Sequence, residues 1–327
     1  MVDEVCEKIF MKKVFYSHDQ RSGLTVRNPQ YTEAVRQHLL LPFLEDAGHG
    51  DMTTELLGIG TRKVAAQIVA KESGIVAGLE ELRFFLGMLS KDRQKFKMRG
   101  PVVMRANVHD GEFVRRGTVL VRLRGFVGDI LQIERTVLNF LQRMCGVATT
   151  TSRYVKAVEP YRVMICPTRK TLFGLLDKKA CALGGGGTHR LHLGDAVLVK
   201  DTHLDCLDHD FQKIFQKVHP AHHFGRFLEL EVESLRDAQS ALEILKMLSK
   251  KVLVSSGIML DNMTPRTIKT FLQKLPKAHR RDFFFEASGG ITMKNIRAYA
   301  RTGVDILSIG ALTHSVKALD LSLKISK

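Results

Sequence analysis

Short, almost continuous apolar runs punctuate the C-terminal half of the chain, at 162–166, 196–200, 227–232, 251–255, 283–287 and 304–309. Helical periodicities fill the intervals, as at 235–249 and 292–301. Blocks of β-branched and aromatic residues without polar alternation are those of strands covered on both faces, as in a parallel sheet. A strand-to-strand spacing of about twenty to thirty-five residues leaves room for one crossover helix each. The pattern therefore predicts repeated βα units, arranged as a parallel barrel or as a doubly wound sheet. The residues just after the runs include Thr168-Arg169-Lys170, Lys200-Asp201, Asp261-Asn262 and Ser288-Gly289-Gly290. A barrel gathers such positions onto one face, and these are the chemically interesting ones, which favours the barrel.

The earlier half reads differently. Segments 62–70 and 102–106 look like strands and 80–89 like a helix, while His109-Asp110-Gly111 and Gly117 mark tight turns between antiparallel strands. Residues 128–144 form a longer helical pattern with Ile130, Ile133, Val137, Leu138 and Leu141 on one face. The first thirty residues are weakly patterned. The expected division is an α+β domain over residues 1–145, a (β/α) barrel over 146–312, and a C-terminal helix over 313–327 packing back on the first domain.

Composition narrows the class. Apolar residues make up 44% and charged residues 26% of 327, as in a globular protein, and there is no apolar run of about eighteen residues to span a bilayer. Five cysteines without a C-x-x-C pair argue for buried thiols in a reducing compartment, and a cytoplasmic protein is expected. The formal charge of +16 points to anionic partners. Between residues 161 and 200 there are seven basic side chains and two acidic ones, more than an even spread would place there, and the apolar flanks suit a pocket better than a disordered arm. The alternating cluster at 91–99 reads as a solvated face.

Individual motifs gain meaning together. Arg169 and Lys170 offer a bidentate fork and a mobile point charge for carboxylate or phosphate, although such pairs are usually just exposed. The run from Gly184 to Gly187 before His189-Arg190 is either a linker or an opening that lets an anion approach the backbone. The apolar residues on both sides favour the opening, although His189 could equally be a core histidine. Ser288-Gly289-Gly290 and Ser308-Ile309-Gly310 each follow a strand and precede a helix, where free N–H groups cradle phosphate or simply make a tight turn. Glu229, Glu231 and Glu233 alternate on one strand face; Glu231 and Asp261 suit sugar hydroxyls or a hydrated Mg2+ ion, and at least one of the three glutamates is expected to balance a buried arginine. No G-x-S-x-G, H-E-x-x-H, P-loop or G-x-G-x-x-G pattern is present. Cations and carboxylates without a nucleophile suit group transfer through a charged transition state.

These motifs resemble the quinolinate phosphoribosyltransferase family, the carboxylating nicotinate-nucleotide pyrophosphorylases. The likeness runs in order through Glu45–Thr54, Glu134–Asn139, Thr168–Thr171, Gly185–Arg190, Leu198–Asp201, Glu286–Ile291 and Ser308–Ser315. The resemblance implies an incomplete TIM-like barrel with a smaller N-terminal α+β sandwich, a homodimer with shared active sites, and Mg2+. It implies conversion of quinolinate and phosphoribosyl pyrophosphate to nicotinate mononucleotide, pyrophosphate and CO2 in NAD biosynthesis. Arg169, Lys170, His189 and Arg190 would bind the quinolinate carboxylates, joined by Arg135 from a neighbouring subunit. Lys200 would lie near the pyrophosphate, Glu231 and Asp261 would hold the ribose hydroxyls and organise the metal, and Ser288, Gly289, Gly290, Ser308 and Gly310 would cradle the 5′-phosphate. Lys170, Lys200, Glu231 and Asp261 are the catalytic candidates. The chain departs from the family pattern at Thr202, at Leu172-Phe173, and in a longer stretch between Glu231 and Asp261, where an insertion near 247–251 is expected. Two other readings are a related molybdenum-transport-associated protein acting on another anionic acceptor, and a nucleic-acid binder. Aromatic residues at 7%, with no tryptophan, give the second little support.

Overall fold

The computed structural model describes residues 14, 16–219, 223–251 and 253–326. Its strands are β1 (Lys63–Ala70), β2 (Gly74–Ile75), β3 (Val103–Ala106), β4 (Phe113–Val114), β5 (Val119–Phe126), β6 (Met164–Cys166), β7 (Val197–Val199), β8 (Phe227–Val232), β9 (Ser255–Asp261), β10 (Phe283–Ser288), β11 (Ile306–Ser308) and β12 (Leu321–Ser326). The chain forms two compact units, which differ from a contiguous split at residue 145. One takes Arg21–Ser152, Thr171–Gly185 and Leu312–Lys327, and the other takes Met1–Gln20, Arg153–Lys170 and Gly186–Ala311.

The first unit carries an antiparallel sheet in the order β12-β1-β5-β3, with β2 and β4 paired separately. In β1, Ala66, Ile68 and Ala70 alternate inward, which is the period of a half-buried strand. The Leu79–Lys91 helix buries Leu82, Phe85, Leu86 and Leu89 along one stripe. Asp110, in the expected turn, accepts from the backbone N–H groups of Leu79 and Glu80 at 3.0 and 3.1 Å, so the turn caps that helix. The long helix does not stop at Met144; it runs from Val127 to Ala157. Gly146 reads as a break, but its bare Cα admits the chain opposite: a Cβ there would lie 2.5 Å from Lys317 O. The C-terminal segment is not a helix. Leu321, Leu323 and Ile325 alternate, and β12 pairs antiparallel with β1 from Ala65↔Ser326 to Ala70↔Leu321.

The second unit is a six-stranded parallel sheet in the order β6-β11-β10-β9-β8-β7. That is barrel order with the seam between β6 and β7 left unpaired, an incomplete barrel. The glycine-rich segment lies beside both edges: Gly187 N–H donates to Ile165 O in β6, and Arg190 Nη1 donates to Ala196 O just before β7. Val14, Met164, Cys166, Ala196, Phe227, Phe284 and Ile306 share the buried core, so residues from the weakly patterned N-terminus fill part of the barrel. The strand expected at 251–255 lies further on, at Ser255–Asp261. Leu253 is fully exposed, whereas Ser255, Ser256 and Gly257 are buried. Gly257 is small because the ring of Phe284 lies 2.3 Å from where its Cβ would stand.

Among the described cysteines Cys145, Cys166 and Cys181 are buried, as expected, but Cys206 is exposed; Cys6 lies outside the described residues. No helix of the described residues is long and apolar enough to cross a membrane.

Candidate active site

Strand register builds the site. Across β7, β8 and β9, Leu198 faces Glu229 and Glu229 faces Gly257, while Glu231 faces Met259. Across β9, β10 and β11, Met259 faces Glu286, Asp261 faces Ser288, and Glu286 faces Ile306, which places Ser308 level with Ser288. Side chains in register share a face, so Leu198, Glu231, Met259, Asp261, Ser288 and Ser308 all point the same way. They line a hollow of about 400 Å³ together with Thr168, Arg169, Lys170, His189, Arg190 and Lys200, at the C-terminal ends of the strands. A volume of this order holds a small organic ligand.

Charges of both signs meet in the hollow. Arg169 and Lys170 are exposed at its mouth, and Arg190 is buried with its Nη1 on Ala196 O. Burial lowers the Arg190 pKa, and the neighbouring Arg169 charge lowers it further. Two guanidinium groups held against their mutual repulsion make a place for an anion. Lys200 Nζ lies 3.6 Å from Glu231 Oε2. Burial raises the Glu231 carboxyl, Lys200 pulls it down, and Asp261 and Asp201 push it up again. The two carboxylates therefore feel each other at the rim. Oxygen donors beside each other at a wet edge suit a hard divalent ion such as Mg2+.

The turns after β10 and β11 carry the small residues. Gly289 has φ +83°, and a Cβ on it would stand 2.2 Å from Asn262 Oδ1; Gly290 has φ +62°. Asn262 N–H donates to Ser288 O, tying the two loops. Ser308 Oγ is buried without a hydrogen-bond partner and lines the hollow, as a donor awaiting an acceptor. After Gly310 the Ala311–His314 helix starts at once, whereas after Gly290 the helix begins only at Ile296, later than the expected Thr292.

Of the expected site residues, Arg169, Lys170, His189, Arg190, Lys200, Glu231, Asp261, Ser288 and Ser308 line this one hollow. Gly289, Gly290 and Gly310 directly follow Ser288 and Ile309 in the adjoining turns. Arg135 is not among them. It is exposed on the Val127–Ala157 helix of the first unit and borders another hollow with Glu45, Asp46, Asn139 and Phe173. Nor does the whole basic segment face the pocket. Lys178 and Lys179 are buried in the first unit, where Lys179 bonds Glu80 and Glu81, with 2.6 Å to Glu81 Oε1. Of the three alternating glutamates, Glu233 is exposed beyond the strand, and Glu229 is fully buried with Oε2 3.5 Å from Nε2 of His189. Sequence reasoning missed His18 and Glu286, which lie beneath the hollow around His189. The one available signal for Glu286 was a carboxylate inside an otherwise apolar strand.

Comparison with known proteins decides the family. Residues 51–145 match the model for the quinolinate phosphoribosyl transferase N-terminal domain, and residues 147–324 match that for its C-terminal domain. The chain belongs to the quinolinate phosphoribosyl transferase family. Family relatives include a probable nicotinate-nucleotide pyrophosphorylase [carboxylating] of Bacillus subtilis, 34% identical over 87% of this chain and 91% of the relative. Another, from Methanothermobacter thermautotrophicus, carries the same name and is 36% identical over 86% and 95%. The solved structure of the nicotinate-nucleotide pyrophosphorylase from Francisella tularensis superposes with a TM-score of 0.72 at 28% identity, covering 90% of this chain and 96% of that one. As a member of this family the chain is a pentosyltransferase of the carboxylating nicotinate-nucleotide pyrophosphorylase type.

Proposed function

We propose that the hollow at the barrel mouth is where this chain joins quinolinate to phosphoribosyl pyrophosphate, releasing nicotinate mononucleotide, pyrophosphate and CO2. The observation that carries the reading is the pair Arg169 and Arg190, two like charges held in one pocket with Lys170 and Lys200. A doubly negative ring meets that requirement, and a monoacid meets half of it.

Arg169, Lys170, His189 and Arg190 orient the dicarboxylate so that its ring nitrogen faces the anomeric carbon. Ser288, Ser308 and the turns at Gly289, Gly290 and Gly310 receive the 5′-phosphate. Glu231 and Asp261 accept from the ribose hydroxyls. As the bond to pyrophosphate lengthens, positive charge grows on the sugar carbon beside these carboxylates, and Lys200 meets the charge leaving with the pyrophosphate. Glu231 and Asp261 would hold Mg2+ through water or substrate; when bound, the ion offsets charge on the pyrophosphate. After attack by the ring nitrogen, the adjacent carboxylate leaves as CO2 and its electron pair stays on the ring carbon, where the cations stabilise it until a proton arrives.

A second copy of the chain is the proposed source of Arg135 for each pocket. Exposed apolar side chains elsewhere in the same unit support a covered surface: Leu41, Met52, Leu56 and Leu57 are 57%, 83%, 87% and 61% exposed. The proposed setting is the cytoplasm, supported by the buried thiols of Cys145 and Cys181.

The test supplies phosphoribosyl pyrophosphate, Mg2+ and either quinolinate or nicotinate, and follows nicotinate mononucleotide. Turnover of quinolinate alone is expected; equal turnover of both acids overturns the assignment of the cationic side. An acceptor other than quinolinate would favour the molybdenum-transport-associated type, and sequence-selective nucleic-acid binding would favour the third reading.

A further inference from the structure

Beneath the pocket, around His189, the barrel holds three polar groups that the chemistry above does not use: His18, Glu229 and Glu286. His18, His189, Glu229 and Glu286 are all buried, with ligand-type atoms within 4.8 Å of one another. Such a set invites a metal ion, but the bond directions argue otherwise. The backbone N–H of Arg190 donates to Nδ1 of His189 at 2.8 Å, so that nitrogen keeps its lone pair and the ring proton sits on Nε2. Nε2–H then donates to Glu286 Oε2 at 3.1 Å. A metal would need the lone pair that this proton occupies.

The same bonds hold an unfavourable backbone. His189 has φ +52°, a left-handed conformation that disfavours a non-glycine residue. Three anchors keep it there. The N–H groups of Thr188 and His189 both donate to His18 O at 2.9 Å, the Nδ1 atom receives the Arg190 N–H, and Glu286 receives Nε2–H. Gly187, just before, has no room to relax: a Cβ there would stand 2.6 Å from Met164 Sδ. Arg190 leaves this turn toward the pocket. Glu286 is fully buried and absent from the pocket lining, so it does not reach a ligand there.

We infer that Glu286 is a positioning residue for the quinolinate end of the site. Its carboxylate fixes the His189 ring with the proton on Nε2, and through the Nδ1 bond it fixes the turn that aims Arg190 into the pocket. The inference rests on the pocket reading proposed above.

Glu286→Gln and Glu286→Leu in the full chain separate this from a structural role, since glutamine keeps a side-chain oxygen that can accept from Nε2–H and leucine keeps only bulk. With leucine, the quinolinate KM is expected to rise about tenfold or more, the size of one lost charged hydrogen bond, with little change in the phosphoribosyl pyrophosphate KM. With glutamine it is expected to stay near the parent value. An unchanged quinolinate KM in Glu286→Leu overturns the inference, as does a fall in all parameters that merely tracks Tm. If the leucine variant does not fold, NMR of labelled histidine in the parent protein still decides: Nδ1 unprotonated and Nε2 protonated is expected at neutral pH, and a doubly protonated ring overturns it. Arg169→Ala and Arg190→Ala run in the same series. If neither raises the quinolinate KM, the pocket reading falls and takes this one with it; if both do while Glu286→Leu is silent, only this inference falls.

Discussion

Lys200 Nζ and Glu231 Oε2 stand 3.6 Å apart across the mouth of the barrel, one just after β7 and the other near the end of β8. The lysine is 43% exposed, so the pair is wet and adds little to stability. Its weight lies in charge placement: the ammonium steadies the Glu231 carboxylate before substrate arrives and is free to turn to pyrophosphate afterwards. Lys200→Ala is therefore expected to lower kcat by about a hundredfold or more, as for removal of a group that meets transition-state charge. It also removes a downward pull on the Glu231 carboxyl, so the acid limb of the kcat/KM profile is expected to move to higher pH. Steady-state rates across pH check both.

The cationic side is tested by Arg169→Ala and Arg190→Ala. Each removes a charged hydrogen-bond donor to a carboxylate, roughly 1.5–3 kcal/mol, so the quinolinate KM is expected to rise about ten- to a hundredfold. Circular dichroism is expected to show an intact fold for Arg169→Ala, whose side chain is exposed. Unchanged kinetics would remove both from the site.

Gly289→Ala tests the phosphate turn. The new methyl would meet Asn262 Oδ1 at 2.2 Å and its backbone N at 2.7 Å, at φ +83°, so Asn262 must give way. The phosphoribosyl pyrophosphate KM is expected to rise by about tenfold or more as the loop opens. Gly290→Ala, where a Cβ meets open space although φ is +62°, is expected to be milder.

The buried cluster gives stability a pH dependence. Burial and the nearby Glu286 raise the Glu229 carboxyl to about 7. Burial lowers His189, while the carboxylates Glu286 and Glu229 pull it upward. Both groups claim the extra proton, and the Arg190 N–H on Nδ1 assigns it to Glu229. A carboxyl raised on folding binds more protons in the native state, so its contribution is complete below its unfolded pKa near 4.5 and is lost as pH rises through about 7. Urea midpoints are expected to fall over that window in the parent, and to fall less in Glu229→Gln.

In the first unit, Asp177 is fully buried and receives Arg143 Nε and Nη2 at 3.0 and 2.8 Å. It also accepts from the Thr171 hydroxyl and from the backbone N–H groups of Leu172 and Phe173. The chain thus supports Leu172-Phe173, one of its departures from the family pattern, from below. Asp177→Ala leaves a nearly buried guanidinium uncompensated and is expected to cost about 3–5 kcal/mol, read by urea denaturation.

Much of the site was legible in one dimension because a parallel sheet does a simple thing to sequence. Every strand ends on the same side, so Thr168-Arg169-Lys170, Lys200, Asp261, Ser288 and Ser308 had to converge once the apolar runs were read as strands. Blocks of branched and aromatic residues revealed β8 and β10 at once. The strand β9 was misplaced because Ser255-Ser256-Gly257 looks polar, and only the Phe284 ring pressed against Gly257 shows why small residues were needed there.

By itself, then, the order of residues determined the fold class and the chemistry gathered at the barrel mouth, since burial patterns and charges are local properties of the chain. Only tertiary structure decided which cations face the pocket and which, like Lys179, are spent on Glu80 and Glu81. It alone showed that His18 and Gln20 hold the turn at Thr188-His189, and that the last strand joins the first sheet. Those outcomes depend on contacts between residues about a hundred or more positions apart, such as Lys179 with Glu81, Thr188 with His18 and Ala65 with Ser326, and no short window along the chain contains both partners.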